Sequence, residues 1–294
     1  TLLLLAAAAW ARTEILGEVA AAAAETAREK VAAVEADEGG VAVTNWTDGY
    51  VEVTAVGTAN LALAQSMAHA LSQAEETARA LAYRKLAERI FGVQVDSRTT
   101  VEGAVATSDA LTTYTRGLIR DAHEVNVKHE VLDDGSILCS VTLSVPMTTA
   151  EGLASLASRL PGPYAEAPRY AGAGGTPLTE EYTGVIVDAS HLGAAPALSP
   201  TLLTEDGYVV YSAETLVAER VSALGVASYV KTLEQAQEKG AGAQPLIVKA
   251  LKAVGEYACD LVLPNDVVDL LFTLDQEKEL LKNRPLVILT RGVQ

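Results

Sequence analysis

Asp188 and His191 are the one acid–base pair in this sequence whose spacing could support catalysis. Asp188 ends the apolar run Gly184-Val-Ile-Val-Asp188, and His191 follows in the next loop, where catalytic side chains often lie. A carboxylate beside an imidazole can serve in general acid–base hydrolysis. The same spacing also fits a structural role, in which Asp188 accepts hydrogen bonds from loop amides and His191 is solvated. A hydrolase that uses this pair is therefore only a remote alternative.

No other pattern in the chain predicts an enzyme, a metal or a cofactor. The four histidines are His69, His123, His129 and His191. His123 and His129 share one predicted strand face, but their Cα atoms would be about 20 Å apart, which is too far to share a metal. Zinc spacings, nucleotide-binding glycine loops and serine-nucleophile elbows are missing from the sequence. We expect no catalytic residues, no cofactor and no metal.

Composition narrows the class of protein further. The chain has 294 residues, of which 49% are hydrophobic and 20% are charged, so it is not a disordered protein. Its net charge of −16 is spread along the chain without a basic stripe, which excludes nucleic acid as a partner. Cys139 and Cys259 are either two buried free thiols or one disulfide.

The amino terminus suggests export or assembly. Residues 1–11 are apolar and end in Ala-Trp-Ala before Arg12. This run is too short to span a bilayer, which needs about 20 apolar residues. It is either the remnant of a secretory signal or a retained arm that packs against a neighbouring subunit. The side chains expected to mediate assembly through such an arm are Leu2, Leu3, Leu4, Leu5, Trp10, Ile15 and Val19.

A long Ala-rich helix is predicted next. Apolar residues recur at helical spacing from Thr13 to Ala36, and charged residues occupy the other face. Together with residues 1–12 this helix would be roughly 50 Å long. We assign residues 1–40 to an amino-terminal arm and helix.

Residues 41–147 are predicted to form a first α+β domain. An alternating strand at 49–57 precedes a helix at about 61–90 and a further predicted strand at 92–101. Two more alternating strands flank Asp133-Asp134-Gly135-Ser136, which is a strong hairpin signal. The helix is expected to pack on the sheet formed by these strands.

Residues 148–180 are rich in proline and glycine and read as a linker to a second α+β domain at 181–294. In that domain we predict strands at 184–188, 245–252, 257–263 and 285–290 and helices at 213–224, 227–239 and 265–283. The predicted fold class is α+β, with a long amino-terminal helix followed by two small sandwich-like domains in which a helix packs on a mixed or antiparallel sheet.

Several short segments carry a family resemblance. They are the strand that runs into Gly57, residues 74–90, Gly92-Val-Gln-Val-Asp96, Thr99-Thr-Val101 and the hairpin that ends in Val141-Thr-Leu-Ser-Val145. On these segments residues 49–147 resemble the secreted lipoprotein-twenty domains and the related flagellar basal-disk and flagellar-assembly-T proteins of bacterial envelopes. A weaker resemblance over 182–290, carried by segments such as 182–188 and 205–211, is to the region that often follows this module in exported bacterial proteins.

The resemblance implies a non-enzymatic, oligomerising component of the cell envelope. The expected location is extracellular, periplasmic or at the outer membrane, and the expected partners are other copies of the chain or a flagellar or outer-membrane protein. Lipoproteins of this kind begin at a lipidated cysteine, whereas this chain has no cysteine before Cys139, so a lipid anchor is unsupported. The leading hypothesis is a filament, tube or ring assembled through the arm, and the alternative is a monomeric accessory protein that binds an envelope partner.

Overall fold

The computed structural model describes residues 40–172 and 180–291. Over these residues the chain combines helices with three four-stranded sheets, which confirms the predicted α+β class. The predictions for the amino-terminal arm and helix concern residues that lie outside this description, apart from residue 40. None of the described helices is long and apolar enough to cross a bilayer.

The first sheet has the strand order β1-β2-β4-β3. Its strands are β1 (Gly40–Asn45), β2 (Tyr50–Asn60), β3 (His123–Val131) and β4 (Ser136–Pro146). Three helices lie between β2 and β3 in the chain, namely α1 (Met67–Phe91), α2 (Val101–Ala106) and α3 (Asp109–Arg120). The predicted hairpin at 133–136 is confirmed, because the Leu132 amide donates to the Ser136 carbonyl at 2.8 Å.

Strand β2 and helix α1 are specified by two different periodicities. Val51, Val53 and Ala55 are fully buried at every second position of β2, as a strand with one buried face requires. Along α1 the buried side chains recur every four residues and are mostly alanines, namely Ala70, Ala74, Ala78, Ala82, Leu86 and Ile90. Small side chains let the helix lie close to the strand. At Gly57 an added Cβ would lie 2.2 Å from the Ala74 carbonyl oxygen and 2.4 Å from the Ala78 nitrogen.

The strand predicted at 92–101 is wrong. Only one isolated bridge, between Gln94 and Thr100, remains of it. The Asp96 carboxylate accepts hydrogen bonds from the amides of Arg98 and Thr99 at 2.8 and 2.9 Å, which closes a turn in the middle of the segment. The Thr100 hydroxyl then caps the start of α2 by accepting from the Gly103 amide. Local side-chain-to-backbone bonds therefore override the alternating pattern.

The remaining strands form two further sheets. One is entirely parallel with the order β8-β12-β5-β9, from β5 (Gly184–Asp188), β8 (Ala227–Val230), β9 (Pro245–Lys249) and β12 (Leu286–Leu289). The other has the order β10-β11-β6-β7, from β6 (Leu202–Leu203), β7 (Val209–Tyr211), β10 (Lys252–Val254) and β11 (Asp260–Val262). The helices of this part are α4 (Ala218–Leu224), α5 (Leu233–Ala236), α6 (Asn265–Lys278) and α7 (Leu280–Asn283).

Two helix predictions in this part need correction. The segment predicted as a helix at 227–239 begins as β8, because Tyr229 and Val230 are buried beside β12 in the parallel sheet. Helix α5 starts only after Thr232, whose hydroxyl accepts from the Gln235 amide. The helix predicted at 265–283 is interrupted at Glu279, which has a left-handed backbone with φ of 49°.

The described residues cluster into two compact units that interleave along the chain. One holds Thr54–Ala82 and Lys128–Val141, and the other holds Ala42–Val53, Tyr83–Val127 and the residues from 142 onward. In the second unit, Leu153 and Leu156 are fully buried although they fall in the predicted linker. The domain limits at 41–147, 148–180 and 181–294 stay a prediction.

Replacement of Gly57 by alanine is expected to destabilise the fold. The new methyl group would overlap backbone atoms of α1, which cannot rotate away as a side chain can, so we expect a loss of about 2 kcal/mol or more in the free energy of unfolding. Gly117→Ala is the matched control, since this glycine lies in α3 with no neighbouring atom within 4 Å of the added Cβ. The control should gain about 0.5–1 kcal/mol. Urea denaturation measures both, and native stability in Gly57→Ala would contradict the close contact.

Candidate functional site

Asp188 and His191 lie where the sequence predicts them, at and after the end of β5. Strand β5 is central in the parallel sheet, and Asp188 is in register with Lys249 of β9 on one side. The Asp188 carboxylate accepts a hydrogen bond from the Ser190 amide at 2.9 Å. Partial burial alone would raise the pKa of Asp188, but Ser190 and the nearby charges of His191 and Lys249 outweigh it and lower the pKa. The carboxylate is therefore ionised and bound to its own loop.

This geometry agrees with the structural role for Asp188. His191 is exposed, and the cavities described below are lined by other residues. Within residues 40–172 and 180–291, no group of three or more His, Cys, Asp or Glu side chains could hold a metal ion. Cys139 and Cys259 are both buried and form no disulfide, so the alternative of a disulfide between them is not realised.

A buried polar cluster forms around Asp260, at the start of β11. Asp260 and Ser97 are fully buried, and Asp96 is only 4% exposed. The Asp260 carboxyl accepts from the Thr201 amide at 2.8 Å through one oxygen. Its other oxygen and the Ser97 hydroxyl are buried without a hydrogen-bond partner in the described part of the chain. Unpartnered polar atoms of this kind are costly and therefore uncommon in protein interiors.

The surroundings of Asp260 raise the pKa of its carboxyl above the ordinary value for aspartate. Burial raises the pKa of Asp260 and the nearby Asp96 carboxyl raises it further, whereas the Thr201 amide that donates to the Asp260 carboxyl opposes the rise. Burial likewise raises the pKa of Asp96, against the amides of Arg98 and Thr99. A cavity of about 630 Å³ opens beside Asp96. Tyr164 and Arg98 both line it, and the Arg98 Cζ atom lies 5.7 Å from the centroid of the Tyr164 ring.

Sequence reasoning missed this cluster because its members lie far apart in the chain. The one available signal was a charged residue inside the apolar run Cys259-Asp-Leu-Val-Leu263. Aspartate is seldom fully buried unless it has hydrogen-bond or charged partners. The sequence therefore indicates that Asp260 has a partner in the interior, but it does not identify that partner.

Two further cavities share one aromatic side chain, Trp46. The first, of about 350 Å³, is lined by Trp46 together with Arg89, Gln94 and Pro196. The second, of about 390 Å³, lies against residues 46–49 and reaches Lys239. The Trp46 ring meets Tyr229 edge-on at 5.5 Å between centroids. An aromatic wall with a few polar groups suits a small polar ligand or a peptide side chain.

Tyr229 and Arg89 hold the walls of the first Trp46 cavity. The Tyr229 hydroxyl accepts from the Ala197 amide at 3.0 Å and donates to the Ala197 carbonyl at 2.9 Å, which fixes the loop that carries Pro196. Arg89 donates from Nε to the Thr44 hydroxyl at 2.7 Å. The cavity is therefore built by side chains that already have defined partners.

Strand β3 forms a third candidate surface, which we call the β3 edge (His123–Val131). The sheet order places β3 at one end of the first sheet. Every residue of the β3 edge except Val127 is exposed, and Val125 and Val131 are 58% and 50% exposed. On the neighbouring strand β4, by contrast, Ile137 and Val141 are fully buried. An exposed edge strand with apolar side chains invites pairing with another strand.

One family comparison bears on the carboxyl-terminal part of the chain. Residues 184–292 match a family model described as the second domain of Treponema pallidum Tp0624. The matched segment begins at β5, close to the predicted start of the second domain at residue 181. No curated protein matches the chain. The resemblance of residues 49–147 to envelope proteins stays a prediction, and the predicted assembly residues from Leu2 to Val19 lie outside the description.

Replacement of Asp260 by asparagine tests the buried cluster. Because the pKa of Asp260 is higher in the folded than in the unfolded chain, its contribution to stability is complete below the unfolded pKa and is lost as the pH rises through the folded pKa. Asparagine stays neutral, so Asp260→Asn should be more stable than the native chain at pH 8 and lose this advantage as the pH falls to 4. Thermal unfolding across this range measures the difference.

Asp260→Ala serves as the control for this experiment. It removes the acceptor of the Thr201 amide and, because alanine and asparagine both stay neutral, should be less stable than Asp260→Asn by about 1–3 kcal/mol at every pH. A pH-independent difference between Asp260→Asn and the native chain would show that folding does not raise the pKa of Asp260.

Proposed function

We propose that the chain is an exported bacterial structural protein that assembles with copies of itself into a filament, tube or ring. The observation that supports this proposal is the β3 edge, which exposes eight of its nine residues, on both faces of the strand. A strand edge directs backbone amides and carbonyls outward, and another strand can satisfy them. Such an edge serves a protein whose working state is an assembly better than a monomer that must remain dispersed.

The amino-terminal arm is the second part of the proposal, and its support comes from the sequence. Leu2, Leu3, Leu4, Leu5, Trp10, Ile15 and Val19 give residues 1–19 enough apolar surface to bury against a neighbouring subunit. Head-to-tail contacts of an arm with the next copy give a filament if they stay open and a ring if they close. The acidic charge of the chain favours dispersal, so these contacts must be specific to form at all.

The location and partners follow from the resemblance of residues 49–147. Proteins of that kind belong to bacterial envelopes, so we place this chain outside the cytoplasmic membrane, in the periplasm, at the outer membrane or at the cell surface. Association with a flagellum belongs to the same proposal. We assign it no enzymatic activity, no cofactor and no nucleic-acid partner.

Deletion of residues 1–36 tests the role of the arm. The truncated chain keeps every described residue, so we expect a folded, soluble protein that no longer forms the ordered particles of the full chain. Electron microscopy and light scattering on both proteins measure assembly, and circular dichroism checks the fold.

A second variant keeps all 294 residues and tests whether the apolar side chains of the arm, rather than its length, are needed for assembly. It carries serine at Leu2, Leu3, Leu4 and Leu5 and should assemble as poorly as the deletion variant. Rings or filaments that survive the deletion would remove the arm from the proposal.

A monomeric envelope accessory protein is the second candidate, and the cavities around Trp46 favour it. They combine an aromatic wall with Arg89 and Gln94, which suits a peptide or another small polar partner. A monodisperse monomer at all concentrations, together with partner binding that is lost in Trp46→Ala, would support this candidate over self-assembly.

A further inference from the structure

We infer that the β3 edge pairs with the β3 edge of a second copy of this chain, antiparallel, about a twofold axis at Asn126. The inference rests on the self-assembly proposed above and names the surface and the partner through which it occurs. Three observations carry it, namely the direction of the backbone groups, the pattern of side chains along the strand and the exposure of the strand.

The backbone groups of β3 alternate in direction. Leu132 donates to Ser136 across the hairpin, so residue 132 faces β4 with its hydrogen-bonding groups. Along an antiparallel strand this orientation repeats every second residue. The even-numbered residues of β3 therefore direct their amides and carbonyls to β4. The odd-numbered residues direct theirs to the edge that no described strand covers, and they are His123, Val125, Val127, His129 and Val131.

A twofold axis at Asn126 matches both the backbone and the charges. It places Val125 opposite the partner's Val127, and His123 opposite the partner's His129, so the outward-directed backbone groups meet. On the other face it places Glu124 opposite the partner's Lys128. Symmetry makes each of these pairs occur twice. Opposite charges and apolar pairs at opposed positions of neighbouring strands stabilise a sheet.

The neighbouring registers are less favourable. With the axis at Val127, Glu124 lies opposite the partner's Glu130, and like charges at directly opposed positions destabilise a sheet. With the axis at Val125, Lys128 lies opposite Ala122 and the ion pair is lost. An axis between two residues would place outward-directed backbone groups opposite inward-directed ones. Among these registers, only the axis at Asn126 combines the Glu–Lys pairs with valine opposite valine.

Exposure of the strand leaves this surface available to a partner. Glu124, Asn126, Lys128 and Val125 are all exposed, and Val125 is among the most exposed large apolar residues that the structure describes. Charged residues on an edge strand can also protect a monomer from pairing. That alternative predicts a different result in each of the following experiments.

Cysteine crosslinking tests the axis directly. Asn126→Cys in the full chain places two thiols opposite each other across a narrow pair, with Cα atoms about 4.5 Å apart, within the range of a disulfide. Mild oxidation with copper phenanthroline should convert the assembled protein into a covalent dimer on a non-reducing gel. Cys139 and Cys259 are buried and should not react.

Lys128→Cys is the matched control for the crosslink. Its counterpart in the partner lies four residues along the strand, about 13 Å away, which no disulfide can span. Equal crosslinking of both variants would overturn the inference, because it would reflect random collision rather than a fixed register.

A charge exchange tests the register without new covalent chemistry. In Lys128→Glu the new acidic side chain lies opposite the partner's Glu124, and symmetry makes this repulsive pair occur twice in each interface. The dissociation constant of the dimer, measured by analytical ultracentrifugation, should rise at least tenfold. The combination of Glu124→Lys with Lys128→Glu restores opposite charges and should restore the dimer. Lys252→Glu makes the same charge change at an exposed lysine outside β3 and should have no effect. Failure of the double exchange to rescue would overturn the pairing.

The outcomes for the inference and for the proposed function can be told apart. Ordered particles from a chain in which Asn126→Cys does not crosslink would leave self-assembly standing and overturn the β3 pairing. A chain that stays monomeric at every concentration would overturn both. A β3 dimer that persists after deletion of residues 1–36 would support the pairing and assign to the arm only the later steps of assembly.

Discussion

The turn at residues 92–99 is the constraint on which the larger compact unit depends. Asp96 closes the turn by accepting two amides, and the backbone on either side of it then bonds to distant parts of the chain. The carbonyls of Gln94 and Val95 accept from the amides of Leu198 and Ser199 at 3.0 and 2.7 Å, and the Ser97 carbonyl accepts from the Tyr257 amide. One short segment thus joins the chain that follows α1 to the chain around β6 and β11.

Buried polar groups hold this unit together at several points. Asp260 binds the Thr201 amide, and the Tyr229 hydroxyl fixes Ala197. The Arg220 guanidinium is only 8% exposed and donates to the backbone carbonyls of Gly225, Leu281, Lys282 and Arg284. Displacement of one of these groups would cost more free energy than displacement of an apolar side chain. A buried polar atom that loses its hydrogen-bond partner has no water to replace it. They favour one arrangement of the loops over others.

Most described strands and helix α1 could be predicted from the sequence because their signals are local. The alternation in β2 and β4 and the Asp-Gly hairpin are readable within about ten residues. The turn at Asp96 was missed because side-chain bonds to the backbone competed with an alternating pattern. The electrostatic interaction between Asp96 and Asp260 could not be predicted, since nothing local in either segment identifies the other. Alternation in β3 correctly indicated a strand, but it gave no hint that both faces would be exposed.

The parallel sheet also has a consequence for when the chain can fold. Its central strand β5 pairs with β9 and β12, so residues synthesised early in this segment must wait for Leu286–Leu289, about 100 residues later. Contacts this distant in sequence form slowly, because a long loop has to close before they contribute any stability. The sheet can therefore close only after Leu286–Leu289 has been synthesised. In the export proposed above, this strand order would leave the sheet unformed while the chain crosses a membrane.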